Sequence, residues 1–210
     1  MHVIEIHQRG IAFLRQIKSQ PVVSTVLVAI NVLVFLLCNF FGEILYNIGI
    51  LDTYHVMIEK EYGRILWAMF LHSGISHLFN NMLILFFLGA MIEKEVGHVR
   101  YGILYFLSGI GGNILSLWTK TINNDLSGSV GASGAIFGLD GALLAMVFFS
   151  GRQMENVTLP RVLLMIFYSL YTGFAGQNID NAAHVGGLLA GFVSTGIMCF
   201  LQRRRRKSSK

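Results

Sequence analysis

The chain alternates long apolar runs with short polar breaks. Six runs approach the length a helix needs to cross a hydrocarbon core, about 20 residues for about 30 Å. They cover residues 22–41, 75–91, 101–119, 132–149, 159–174 and 182–201. The first is nearly unbroken after Pro21, the second and fifth are short, and the fourth is rich in glycine. Short or glycine-broken spans are tolerated where they lie inside a bundle or line a cavity. The pattern predicts an all-α, polytopic membrane protein: one six-helix transmembrane bundle over 22–201, preceded by a segment 1–21 and followed by a basic tail 202–210. A single compact bundle fits this length better than two domains.

Composition agrees with the pattern. Hydrophobic residues make up 54% of the chain and charged residues 13%, about half the charged share of an ordinary soluble domain. Mean hydropathy is +0.61. The net charge of +5 would suit nucleic acid, but its distribution argues against that partner. Arg203, Arg204, Arg205, Arg206, Lys207 and Lys210 cluster directly after an apolar run, as in a membrane-surface anchor. No small-x-small cleavage site follows the first run, so it reads as a retained span rather than a signal peptide. Cys38 and Cys199 fall near opposite faces of the bilayer and are not expected to pair.

Six spans put both termini on one side. With that side cytoplasmic, the inside carries Arg9, Arg15, Lys18, Lys94, Arg100, Arg152, Arg161 and the tail cations. The outside carries only Lys60, Arg64 and Lys120. Cytoplasmic loops are the ones enriched in Lys and Arg, so both termini are expected in the cytoplasm of a multi-pass plasma-membrane protein. The outside loops are then 42–74, about 120–131 and about 175–181. The first is amphipathic, with Ile44, Leu45, Ile48, Leu51, Val56, Ile65, Trp67 and Phe70 among polar residues. It is expected to lie in the interface, with Trp67 near headgroup level.

Polar groups inside spans are costly, and each is a functional hypothesis by default. They are His77, Asn80 and Asn81 in the second span, Asn113 in the third, Ser133 and Asp140 in the fourth, and His184 in the sixth; His72 lies just before the second. Ser133, His184, His77 and Asn81 all stand near the outer ends of their spans, within about two turns of one face at 1.5 Å per residue. Small residues give their helices a way to touch. His184, Gly187 and Gly191 form one stripe, and Gly134, Gly138 and Gly141 flank Ser133 on the fourth helix. Such stripes let helix backbones approach closely.

That placement suits acyl transfer. A serine hydroxyl becomes a nucleophile when a neighbouring base takes its proton, and imidazole titrates near neutrality. A helix start at Ser133 offers backbone N–H groups and the positive end of the helix dipole. His77 and Asn81, one turn apart, add side-chain donors for an oxyanion. Gly131 and Gly134 leave room beside Ser133 for a substrate backbone.

These residues resemble the rhomboid family of intramembrane serine proteases. The matching pieces are Gly131-Ala132-Ser133-Gly134 for GxSG, His77 to Asn81 for HxxxN, and Ala183-His184 through Gly187 to Gly191 for AHxxGxxxG. Phe70-Leu71-His72 and Gly89 to Glu93 also look like family sequence, and the likeness runs from about Glu61 to Gly191. The resemblance implies a Ser133–His184 dyad without an acidic third member. It implies an oxyanion site from the Ser133 N–H, His77 and Asn81, and a Phe137 ring against the histidine. It also implies a mobile gate in the fifth helix with Phe167, Tyr168, Tyr171 and Phe174, capped by 175–181. The substrates implied are single-pass membrane proteins with an unstable helix, and the form is the minimal bacterial one, using no cofactor. Two residues depart from the family pattern. Gly63-Arg64 replaces its Trp-Arg pair, and Asp140 lies two turns below Ser133, about 10 Å deeper, where it is expected to be protonated or bonded to a helix neighbour such as Asn113.

Other functions fit less well. His72 and His77 lack the HExxH arrangement of a metalloprotease, so no metal is expected. Asp140 and Asp180 do not share a depth, as an aspartyl pair would. A small transporter would show inverted repeats or paired broken helices. A non-catalytic binding or chaperone module of the same family is the remaining alternative, and it would lack the serine or the histidine. The sequence assigns no oligomeric state.

Overall fold

A computed structural model describes residues 20–149, 157–175 and 179–208. Residues 1–19 of the predicted N-terminal segment, the connection 150–156 with Arg152, residues 176–178 of the predicted 175–181 cap and the last two tail residues lie outside the described residues. The elements are α1 (Val22–Phe41), the short helices α2 (Glu43–Gly49), α3 (Thr53–Met57) and α4 (Arg64–Trp67), a 3-10 turn (Ala68–Phe70), α5 (Ile75–Val96), α6 (His98–Ile122), α7 (Ser133–Phe149), α8 (Leu159–Ala175) and α9 (Asn181–Ser208). The only pairing of extended backbone among the described residues is an isolated antiparallel bridge, Leu51 with Ser129.

The chain is an all-α polytopic membrane protein. Helices α1, α5, α6 and α9 are each long and apolar enough to cross a bilayer. Helices α7 and α8 are shorter, and α7 runs through the middle of the bundle. Its residues Gly134 to Leu143, with Ala145 and Met146, are all buried. A helix apolar on every side belongs in such a place. Outward-facing Leu33, Phe40, Phe87, Leu164 and Val193 are exposed, as a lipid-contacting surface requires.

The structure moves several predicted boundaries. The second span runs on to Val96 through a π-helical turn at Leu85–Gly89, and the third starts at His98 and ends at Ile122. The connection between them shrinks to Gly97, whose φ of 86° is the left-handed backbone that glycine adopts without strain. Charged residues mark span ends in a hydropathy reading, but Glu93 is satisfied internally. It accepts from the Val23 and Ser24 N–H groups, both at 2.8 Å, from the Ser24 hydroxyl at 2.7 Å and from His98 Nδ1 at 2.5 Å. One carboxylate thereby caps the first turn of α1, whose N–H groups have no partner within the helix. The sixth helix extends past residue 201 to Ser208 and carries much of the basic cluster on helical backbone.

The first loop is folded around Arg64. Its guanidinium is buried and donates to the carbonyls of Asn47 (2.7 Å) and Ile50 (3.0 Å) and to Glu61 (2.6 Å). Leu51, Val56 and Ala68 pack with Leu117 of α6 in a small core of their own. Ile44, Ile48, Ile58 and Leu66 remain exposed, the amphipathic division the pattern predicted. Trp67 covers Gly49, where any Cβ would meet the indole. This loop braces the segment leading to Ser133, through the Leu51–Ser129 bridge and a 2.9 Å bond from the Gly131 N–H to the Ala68 carbonyl.

Candidate active site

Three helices supply the site. Backbone contact between α7 and α9 runs along the predicted stripes. A Cβ added at Gly187 would fall on the Gly134 carbonyl, and one at Gly191 on the Gly138 carbonyl. Helix α6 closes on the same side, with Gly112 against the Ala183 carbonyl and Gly111 against Ala190. This approach brings His184 Nε2 to 3.0 Å from Ser133 Oγ. Phe137, one turn along α7, stacks on the imidazole at 4.1 Å between centroids and 12° between planes. The ring is thus held in one plane by packing. His184 is buried, and its Nδ1 meets no hydrogen-bond partner among the described residues.

Helix α5 brings His77 and Asn81 beside the serine loop. His77 Nδ1 lies 3.1 Å from the Ser73 hydroxyl. The other edge of that ring faces Gly131, where a Cβ would sit 2.9 Å from Cε1 and Nε2 and 3.6 Å from Asn81 Nδ2. Gly131 has a φ of 136°, so glycine serves here both for backbone and for space. The Asn81 amide nitrogen is buried and meets no acceptor among the described residues. His72 stacks edge-on to His77 at 5.1 Å. Burial, with His77 alongside, holds the His72 imidazole down to about 4, so it is neutral at neutral pH. Asn80 turns to the exposed face, away from this group.

One expectation changes. Asn113 is not the partner of Asp140; its amide donates to the Ile65 carbonyl at 2.7 Å and ties α6 to the first loop. Asp140 is buried, and no hydrogen bond reaches it from the described residues. The sequence reading also left out Ser116 and Lys120. Ser116 Oγ donates to Asp180, whose carboxylate is 4.0 Å from Lys120 Nζ. Lys120 in turn donates to the Ser127 carbonyl at 2.8 Å. Nothing in the local pattern signals this group, because Asp180 lies 53 residues from Ser127 and 64 from Ser116. Cys38 and Cys199 are both free. Of the predicted gate residues, Phe167, Tyr168 and Tyr171 face outward on α8; the Phe174 side chain is outside the described set.

The sequence has counterparts among known proteins. A family model for the Rhomboid domain matches residues 59–201. The chain belongs to the rhomboid family. This rhomboid is 40% identical to "RHOMBOID-like protein 4" of Arabidopsis thaliana over 151 residues, 71% of this chain and 37% of that protein. It is 35% identical to "Rhomboid protease GluP" of Bacillus subtilis over 181 residues, 83% of this chain and 34% of that protein. It is 31% identical to "Putative rhomboid protease YdcA" of the same bacterium over 161 residues, 77% of this chain and 75% of that protein. The rhomboid chain thus spans well under half the length of the first two relatives and three quarters of the third. The matched region contains every residue of the site, from His77 to Gly191.

Proposed function

We propose that this chain is an intramembrane serine endopeptidase that cleaves membrane-anchored protein substrates within or near their transmembrane helix. The observation that carries the reading is the 3.0 Å approach of His184 Nε2 to Ser133 Oγ at the start of the buried helix α7. The names of the two bacterial relatives support it.

In this reading His184 takes the Ser133 proton as Oγ attacks the scissile carbonyl. The oxyanion forms beside the Ser133 N–H, the Asn81 amide and His77. His184 then protonates the leaving amine; a water next attacks the acyl-enzyme as His184 takes its proton, and His184 passes that proton to the departing Ser133 Oγ, which restores the dyad. Phe137 keeps the imidazole in plane, Gly131 and Gly134 keep the substrate path clear, and Gly187 and Gly191 hold α9 against α7. The substrates are single-pass transmembrane proteins, the chemistry uses no metal or cofactor, and the lipid bilayer is the medium. The six-helix unit of 22–201 sits in the plasma membrane, with 1–21 and 202–210 in the cytoplasm and the site open toward the extracytoplasmic side.

A fluorophosphonate probe on the detergent-purified protein tests the assignment. Wild type is expected to label, and Ser133→Ala to abolish both labelling and cleavage of a transmembrane substrate. Labelling that survives Ser133→Ala would remove the nucleophile. Folded wild type that never labels would favour a non-catalytic binding module.

A further inference from the structure

The His184 ring uses one nitrogen and leaves the other idle. Nε2 faces Ser133, while Nδ1 is buried without an acceptor among the described residues. When His184 takes the serine proton it becomes a cation, and no carboxylate among the described residues bonds to its ring. A buried charge without a counter-charge is costly. The structure holds a carboxylate one helical turn away. Asp180 stands immediately before α9, and its main-chain oxygen accepts from the His184 N–H at 3.2 Å. Its Oδ1 accepts from the Ala183 N–H at 2.9 Å, the geometry of an N-terminal helix cap. Its Oδ2 accepts from Ser116 of α6 and lies 4.0 Å from Lys120.

From this geometry we infer that Asp180 is a positioning residue for the Ser133–His184 pair. It pins the first turn of α9 to α6 and supplies, across that turn, the negative charge that the imidazolium lacks by direct contact. The inference rests on the protease reading above. The other charged or titratable groups around His184 do not replace it. Lys120 on α6 has the wrong sign, and its ammonium is bonded to the Ser127 carbonyl and hydroxyl. His77 on α5 carries no negative charge. Asp140 on α7 lies about two turns deeper, roughly 10 Å along the helix. Ser116 is fully buried and orients the Asp180 carboxylate.

A helix cap and a counter-charge separate cleanly, because asparagine caps a helix as well as aspartate does. The test compares wild type, Asp180→Asn and Ser116→Ala in detergent. It reads the fluorophosphonate labelling rate constant, the kcat and KM for a transmembrane substrate, and the thermal midpoint. Asp180→Asn is expected to lower kcat and the labelling rate constant about tenfold, the scale of one charge acting through a partly polar medium. Its KM should not move, while the thermal midpoint is expected to fall somewhat, because the buried Lys120 loses its counter-charge. Ser116→Ala keeps the charge and is expected to stay within about threefold of wild type. The labelling rate constant, unlike its amplitude, counts only folded molecules, so partial misfolding does not hide the result. Wild-type rates in Asp180→Asn would reduce Asp180 to a cap. An equal fall in Ser116→Ala would assign the effect to geometry and overturn the counter-charge. Unlabelled wild type would instead overturn the protease reading itself, which separates the two failures.

Discussion

The Asn81 amide is a donor held without an acceptor. It is buried on α5, beside Gly131, and no group among the described residues accepts from it. A structural asparagine would offset its burial by bonding to a neighbour, since an unmade bond costs about 1–3 kcal/mol. Here the cost is left standing, which is the arrangement expected of a donor reserved for charge that appears only in a transition state. The two explanations make opposite predictions for Asn81→Ala. As an oxyanion donor, its loss lowers kcat by about one to two orders of magnitude, leaves KM near wild type, and leaves the thermal midpoint unchanged or slightly raised. As a packing residue, its loss lowers the midpoint and leaves kcat alone. Substrate turnover and a detergent melting curve on the same preparation distinguish them.

At the scale of elements, the site depends on how closely α7 and α9 approach. Gly191 faces the Gly138 backbone, so a methyl group there meets a carbonyl that cannot rotate away. Gly191→Ala is expected to push the helices apart, destabilise the bundle by about 2–4 kcal/mol and cut proteolysis sharply. Gly196, further along the same helix, is roomier: an added methyl would meet only the Phe149 ring, at 3.5 Å. Gly196→Ala is the control, with little effect on either melting or cleavage. The stripes at Gly187, Gly191, Gly134 and Gly138 were legible in the sequence because periodicity encodes which residues share a helix face. So was the common depth of Ser133, His184 and His77. Partners distant in sequence were not legible. Glu93 read as a span end because its donors on α1 lie about 70 residues away, and Asn113 bonds to a loop carbonyl 48 residues away rather than to Asp140. Arg64 was visible as a cation, but the carbonyls it gathers belong to a loop fold that no apolar period describes.

At the scale of the molecule, the distribution of charge between the two ends of the bundle bears on which face of the membrane the site meets. The loop end of the bundle carries Lys60, Arg64 and Lys120 in its described part. Arg64 is buried against Glu61, with Asp52 at 4.0 Å, and Lys120 is buried with Asp180 at 4.0 Å. Two of these three cations are therefore matched inside the protein. The opposite end presents Arg203, Arg204 and Arg205 exposed on α9. Charge asymmetry of this kind orients helices with the basic end in the cytoplasm. Replacing Cys38 and Cys199, which are both free, leaves a background for single-cysteine labelling. Leu126→Cys, on the exposed loop before α7, should react with a membrane-impermeant maleimide in intact cells. Ser208→Cys, at the end of α9, should react only after permeabilisation. Because the Leu51–Ser129 bridge and the Gly131–Ala68 bond tie the Ser133 loop to the first loop, the side that Leu126 reports is also the side of the Ser133–His184 pair. The reverse labelling pattern would turn the whole bundle over and place that pair at the cytoplasmic face.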